Sequence, residues 1–344
     1  MRLRWLAVPV ALVSWAALAQ PAAREPIFTT TTGGPRLRVV ARARTGIQPK
    51  SVRVSPDGTR LAVCNFGRPD EENVTVHDAA TLERLGSVSF EGNAVESAFS
   101  ADGRTLWVSN FRRNVVEEID FERLAVRREL EVGSHSKTVA ISPDERTLYV
   151  ANYFGHSVSV VDLASGRERR RLPTGDRPRG MTVLDDGTLL VADFRGDQIH
   201  VFEPDGGERA TWRACRFPRD LLVPPDGSTV FLTCSLGHIA FLSPSQGQRP
   251  LGLAPTGRNP RSIAASRDGR WVGVANFTSN DVTLIDTVGR THRRTSIPGA
   301  SGVVGLAMHP GPEPRVYATS WDTHEVILLA APNGGALERE TTPP

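Results

Sequence analysis

From residue 36 onward the chain runs as short apolar stretches of five or six residues, each ended by a polar turn, with no helical period between them. One turn signature recurs: Ser55-Pro56-Asp57-Gly58, Ser100-Ala101-Asp102-Gly103, Ser142-Pro143-Asp144-Glu145, Asp185-Asp186-Gly187, Pro225-Asp226-Gly227, Arg267-Asp268-Gly269 and His309-Pro310-Gly311. Successive copies start 40 to 45 residues apart. Asp-Gly supplies the positive φ angles of a tight hairpin. A short apolar strand precedes each turn, as at residues 51–55 and 138–142. A second strand follows and ends in a polar residue and an aromatic: Val63-Cys64-Asn65-Phe66, Val108-Ser109-Asn110-Phe111, Val150-Ala151-Asn152-Tyr153 and Val274-Ala275-Asn276-Phe277. A third strand comes next, then a fourth rich in arginine that stops at glycine, as at residues 167–175. Four short strands per unit and seven units predict an all-β, seven-bladed β-propeller with four-stranded blades.

The ends of the chain suggest how the ring closes. The seventh unit has three clear strands and a weak fourth. Residues 36–45, followed by Gly46, look like every other fourth strand yet precede the first unit. The expectation is that this N-terminal strand completes the last blade and leaves no open edge at the seam. The propeller then spans residues 36–332. Residues 20–35, with four consecutive threonines, read as a flexible linker. Residues 333–344 read as a loose tail. Residues 1–19 begin with Arg2 and Arg4, continue as an apolar run and end in Ala17-Leu18-Ala19, the form of a cleaved signal peptide. An exported protein, periplasmic or extracellular, is expected, without a membrane span.

The sequence pI of 9.0 raises the question of nucleic acid. Two of the 41 basic residues fall in the signal, which leaves 39 against 38 acidic ones, so net charge gives a nucleic-acid partner no support. The three cysteines, Cys64, Cys215 and Cys234, allow at most one internal disulfide. Cys215 and Cys234 belong to one blade near the same face. Four residues separate Cys215 from the position facing Cys234, so the loop must fold back for them to pair. Cys64 would then be a buried free thiol.

Two ring positions carry the candidate chemistry. The residue opening the innermost strand is Lys50, Val95, Lys137, Arg179, Arg219, Arg261 and Val304 in the seven blades; five are basic, and the chain's only two lysines are among them. A regular hairpin would set Lys50 opposite Asn65, Lys137 opposite Asn152 and Arg261 opposite Asn276, where local hydrogen bonds would explain them. The alternative is a positive arc at the channel mouth that binds anions, broken at blades 2 and 7. The second ring is aromatic: Phe66, Phe111, Tyr153, Phe194, Phe277 and Trp321, with Ser235 in blade 5. These rings either plug the gaps between blades or stack on a ligand.

Other motifs give less. His156, His238 and His324 align just before the third strand with Asn114, Asp197 and Asn280, a turn preference, so no metal and no cofactor are expected. Asp78, Asp120, Asp162 and Asp286 fit the turns after the third strand. No nucleophile elbow, phosphate loop or paired carboxylate stands out. Tyr149-Val150-Ala151-Asn152 and Val274-Ala275-Asn276 resemble the Tyr-Val-Thr-Asn signature of YVTN-family propeller repeats, and residues 36–331 are similar to YncE-like exported propellers. Asp193 in blade 4 and Cys234 in blade 5 depart from that signature. The resemblance implies the fold and says little of function. The expectation is a non-catalytic, monomeric binding or scaffolding protein whose channel face holds a partner protein or an anionic polymer. The alternative is a hydrolytic propeller of the lactonase kind.

Overall fold

A strand covered on both faces has no polar side to show, and the second and third strands of each unit are such runs. In the computed structural model, which describes residues 28–224, 227–245, 247 and 250–332, Thr147–Asn152, Ser157–Asp162, Trp271–Asn276 and Asp281–Asp286 are buried almost throughout. The outermost strands alternate between exposed and partly covered positions, as in Arg38–Arg44 and Ala125–Glu131, because one face meets water. The strands form seven antiparallel four-stranded sheets, and the innermost strands pack in succession around a ring, that of blade 7, Val303–Met308, against that of blade 1, Pro49–Val54. The fold is a seven-bladed β-propeller, with no helix among the described residues. Residues 1–19 and 333–344 lie outside the described residues, as do positions 20–27.

The core is divided accordingly. Seven apolar clusters fill the seven gaps between neighbouring blades. Phe231, Ile239 and Phe241 of blade 5, for example, meet Ile263, Val272 and Ile285 of blade 6. Polar contacts cross the same gaps: Tyr317 Oη donates to Ala79 O at 2.7 Å, tying blade 7 to blade 1.

The N-terminal strand closes the ring as expected. Arg38–Arg44 runs antiparallel to Glu325–Ala330, with Arg44 facing Glu325 and Val39 facing Leu329. The segment before it differs from a free linker. Phe28–Thr29 adds a parallel fifth strand to blade 5, Thr31–Thr32 adds one to blade 6, and Arg293 Nε donates to Gly34 O at 2.8 Å. Threonine is a good strand former, and two outer edges with unpaired backbone groups lie along the path.

Within each blade the turns behave as the sequence implies. Ser55 Oγ and Thr59 N both donate to Asp57 Oδ1, and Gly58 takes φ +78°. The aspartates after the third strand cap turns: Asp78 Oδ1 accepts from Ala80 N and Thr81 N, and Asp286 Oδ1 from Val288 N and Gly289 N.

Candidate functional site: the cationic channel face

The geometry of the site begins with an irregularity shared by all seven blades. At the start of each innermost strand the register slips against the second strand. Pro49 faces Asn65 and Ser51 faces Cys64, so Lys50 has no partner of its own. The same slip follows Ala94, Ser136, Pro178, Pro218, Pro260 and Val303. The expected facing of Lys50, Lys137 and Arg261 with asparagine is therefore corrected: Pro49, Ser136 and Pro260 face it, and the basic residue sits in the bulge. A bulge turns its extra side chain away from the ladder, here toward the channel. Two residues earlier the chain takes a left-handed conformation, at Gln48, His135, Arg177, Phe217, Asn259 and Gly302. The carbonyl of that residue accepts from the second-ring N–H: Phe66 N to Gln48 O at 3.0 Å, Tyr153 N to His135 O at 3.0 Å, Phe277 N to Asn259 O at 3.0 Å. In blades 3 and 6 this bond sets the aromatic beside the cation of its own blade, Tyr153 by Lys137 and Phe277 by Arg261.

The asparagines are structural. Asn152 Nδ2 donates to Ser157 Oγ and Ser159 Oγ, and Asn276 Nδ2 to Asp281 Oδ1 and Thr283 Oγ1, all buried. They hold the turn that carries the aromatic and leave the cations free for the channel.

Three of the five basic residues are buried, and Arg179 and Arg261 are partly exposed. Lys50 is 9% exposed, Lys137 7% and Arg219 9%. None of the five has a carboxylate within ion-pair distance among the described residues. Arg219 Nε donates to Ser235 Oγ at 2.8 Å, whereas its Nη1 and the Nε of Arg261 are buried without a hydrogen-bond partner. The aromatic rings supply partial compensation. Tyr153 lies between Lys137, at 5.4 Å from its centre, and Arg179, at 6.0 Å. Phe194 lies between Arg179, at 5.2 Å, and Arg219, at 5.0 Å. Arg261 sits 3.5 Å above Phe277. Cation–π contacts of this kind offset only part of a lost hydration shell.

The electrostatic consequence follows. Burial, then repulsion from Arg179, pushes the Lys50 ammonium down to about 7, with Glu96 opposing and Arg261 and Arg219 adding to the push. Lys137 is held well below the usual lysine range by burial, then by Arg179 and Lys50. The guanidinium of Arg219 is pushed down by burial, then by Arg179 and Arg261, and that of Arg179 mainly by burial; both groups keep their protons at neutral pH.

Two carboxylates were missed by sequence reasoning. Glu96 and Asp220 each follow directly on a ring position, in blades 2 and 5. Blade 2 is therefore not an uncharged break: Glu96 stands next to Val95 and acts on Lys50 and Lys137. Arg53 lies 3.8 Å from Glu96. Burial, then Glu96, lifts the Asp220 carboxyl to about 6. Asp220 Oδ2 accepts from Ile263 N and Oδ1 from Leu221 N, each at 3.1 Å, so it bridges blades 5 and 6. The signal available in the sequence was the position itself, one past a ring residue, where the other blades have serine, threonine or glycine.

No family model matches the chain, and no curated protein does. Among solved structures it is similar to a chain of Kuenenia stuttgartiensis hydrazine synthase, with a TM-score of 0.73 and 20% identity over 84% of this chain and 97% of that one. That likeness carries the fold alone.

Blade 5 is the exception in the ring. Cys215 and Cys234 are joined, with their Cα atoms 5.9 Å apart, and Cys64 is a buried free thiol. The loop folds back because it does so elsewhere. A Cβ on Gly46 would lie 2.7 Å from Asn65 Nδ2, one on Gly257 2.7 Å from Asn276 Cβ, and one on Gly133 would strike Asn152. Those pairs are 19 residues apart, as are Cys215 and Cys234. The disulfide replaces a glycine–asparagine contact. The alignment of His238 with His156 and His324 is corrected: the turn of blade 5 is one residue shorter, Gly237 takes the left-handed place, and His238 opens the third strand opposite Cys234. His156 and His324 do hold the turn position, with φ of 50° and 58°. Among the described residues Cys215, Cys234 and His238 are the one cluster of metal-type ligands, and its two sulfurs are spent in the disulfide.

Proposed function

We propose that this chain is an exported, non-catalytic propeller of the YVTN type whose channel face binds an anionic ligand or an acidic group of a partner. The observation that carries the reading is the set Lys50, Lys137, Arg179, Arg219 and Arg261, three of them buried and two partly exposed, none with a carboxylate partner among the described residues and with Arg219 Nη1 left without a hydrogen-bond partner. Bare buried cations cost stability, and fully buried unpaired charge is avoided where function does not require it. Four consecutive blades, 3 to 6, contribute one cation each from the same bulge, which suits multivalent capture of one anion. Export is supported by the form of residues 1–19 and by the disulfide, which persists in oxidising compartments.

The hydrolase reading has one observation in its favour: the Glu96–Asp220 pair in the channel, with the Asp220 carboxyl raised toward the range of a general acid. Its two backbone donors fit a structural bridge better.

The test compares Lys137, Arg179 and Arg219 changed together to Gln with Arg38, Arg167 and Arg213 changed to Gln. The second set is exposed on outermost strands. Retention on an anionic matrix at low salt is expected to fall for the first set and to persist for the second. Equal loss would make net charge the cause and the ring structural.

A further inference from the structure

The channel face is not uniform. In blades 3, 4 and 6 the aromatic rings are occupied: a cation lies against Tyr153, Phe194 and Phe277. In blades 7, 1 and 2 the rings touch each other, and the nearest cation, Lys137, reaches only the Phe111 end of this sector, 5.9 Å from its ring centre. Phe66 lies 5.8 Å from Trp321 and 5.9 Å from Phe111, and all three are partly exposed. The ring residues beneath two of these blades are Val304 and Val95, both buried and apolar. At its far end this sector continues through Phe111 and His135 to Phe154, which is 45% exposed. One side of the mouth is thus a shelf of aromatic rings, in the sector that also holds Lys50 and Glu96, and the other a cationic pit.

Resting on the anion-binding reading, we propose that the ligand is a small organic anion: its charged head enters beside Arg179, Arg219 and Arg261, and its apolar ring lies on Trp321, Phe66 and Phe111. Three observations favour this over a polymer laid across the face. Arg219 is less than a tenth exposed and Arg179 and Arg261 only partly exposed, so only a compact head can reach all three. A uniformly charged chain would set phosphates or carboxylates on the apolar shelf, at a desolvation cost without a partner. A bare inorganic ion would leave the shelf in water, whereas a ligand ring would cover it and exclude water from the ion contacts.

The experiment titrates the full-length protein calorimetrically at low ionic strength with three probes: methyl phosphate, 1-naphthyl phosphate and the neutral 2-(1-naphthyl)ethanol. Both phosphates are expected to bind, the naphthyl ester at least tenfold more tightly, and the alcohol far more weakly than the ester. Phe66→Leu and Trp321→Leu, which keep an apolar side chain of moderate size in place, should reduce the naphthyl ester toward methyl phosphate and leave methyl phosphate unchanged. Arg179→Gln with Arg219→Gln should remove both phosphates. Equal affinity for the two phosphates, with dependence on Arg179 and Arg219, would overturn the amphiphilic ligand and leave the anion site standing. Equal affinity for ester and alcohol would overturn the charged head. Binding of no phosphate at all would overturn both readings. Circular dichroism and melting temperature of each variant separate lost binding from lost fold.

Discussion

Lys50 shows at the residue scale how the channel is tuned. Its ammonium is held near 7 in the unliganded protein against an ordinary 10.5, so between those values the folded state binds fewer protons than the unfolded chain. Stability is therefore expected to rise with pH above 7, by up to about 1.4 kcal/mol per pH unit for each such lysine. Melting temperature measured at pH 7 and pH 9 without anions should climb, and Lys50→Met should flatten the climb. Binding has the opposite slope. An anion favours the protonated lysine, so affinity should be highest below pH 7 and fall as pH rises past it. Arg179, Arg219, Arg261, Lys137 and Glu96 surround the same space, and the arginines stay charged throughout, so binding weakens rather than vanishes. An affinity independent of pH from 6 to 9 would show that Lys50 does not meet the ligand.

At the scale of single elements, two pieces of chain hold the ring in shape. Residues 36–45 supply the outer strand of blade 7, and removing them exposes the edge of Glu325–Ala330. A protein lacking residues 20–45 is expected to aggregate or lose its cooperative melt, whereas one lacking residues 20–27 should melt like the full chain. Removal through residue 34 should cost a small amount, because Thr31–Thr32 pair with blade 6. The second piece is the loop stapled by Cys215–Cys234. It carries Phe217, whose carbonyl accepts from Ser235 Oγ, and Ser235 in turn anchors Arg219. Changing both cysteines to Ala should lower stability by about 3 kcal/mol on chain-entropy grounds. It should also weaken anion binding, since Arg219 loses a fixed seat. Unchanged binding after reduction would separate the staple from the site.

For the whole molecule, the charge that matters is local. The chain is close to neutral once residues 1–19 are set aside, yet five cations meet in one channel. Removing them should relieve repulsion: the Lys137, Arg179 and Arg219 to Gln variant is expected to melt no lower than the parent in the absence of anions. A ligand at a hundred times its Kd should stabilise the parent by about 2.7 kcal/mol, read as a rise of a few degrees, and leave the variant unmoved. A ligand-dependent rise of equal size in both would place the binding elsewhere.

The sequence alone determined the number of blades, the order of strands within each, the strand that closes the ring and the positions of the two rings. These follow from local chemistry repeated seven times: turn residues at fixed spacing, doubly covered apolar runs, and one stray fourth strand. Tertiary structure decided what those positions do. The bulge at each ring residue arises from register between two strands, which the apolar pattern does not reveal, and it moved Lys50 from facing Asn65 into the channel. The pairing of Cys215 with Cys234 was half legible, since Gly46 and Asn65, Gly133 and Asn152, and Gly257 and Asn276 keep the same spacing; that the loop folds back so that these residues touch is a fact of packing. The role of Glu96 and Asp220 was not legible, because charges from blades far apart in the chain act on one another only when the ring brings them around a common axis.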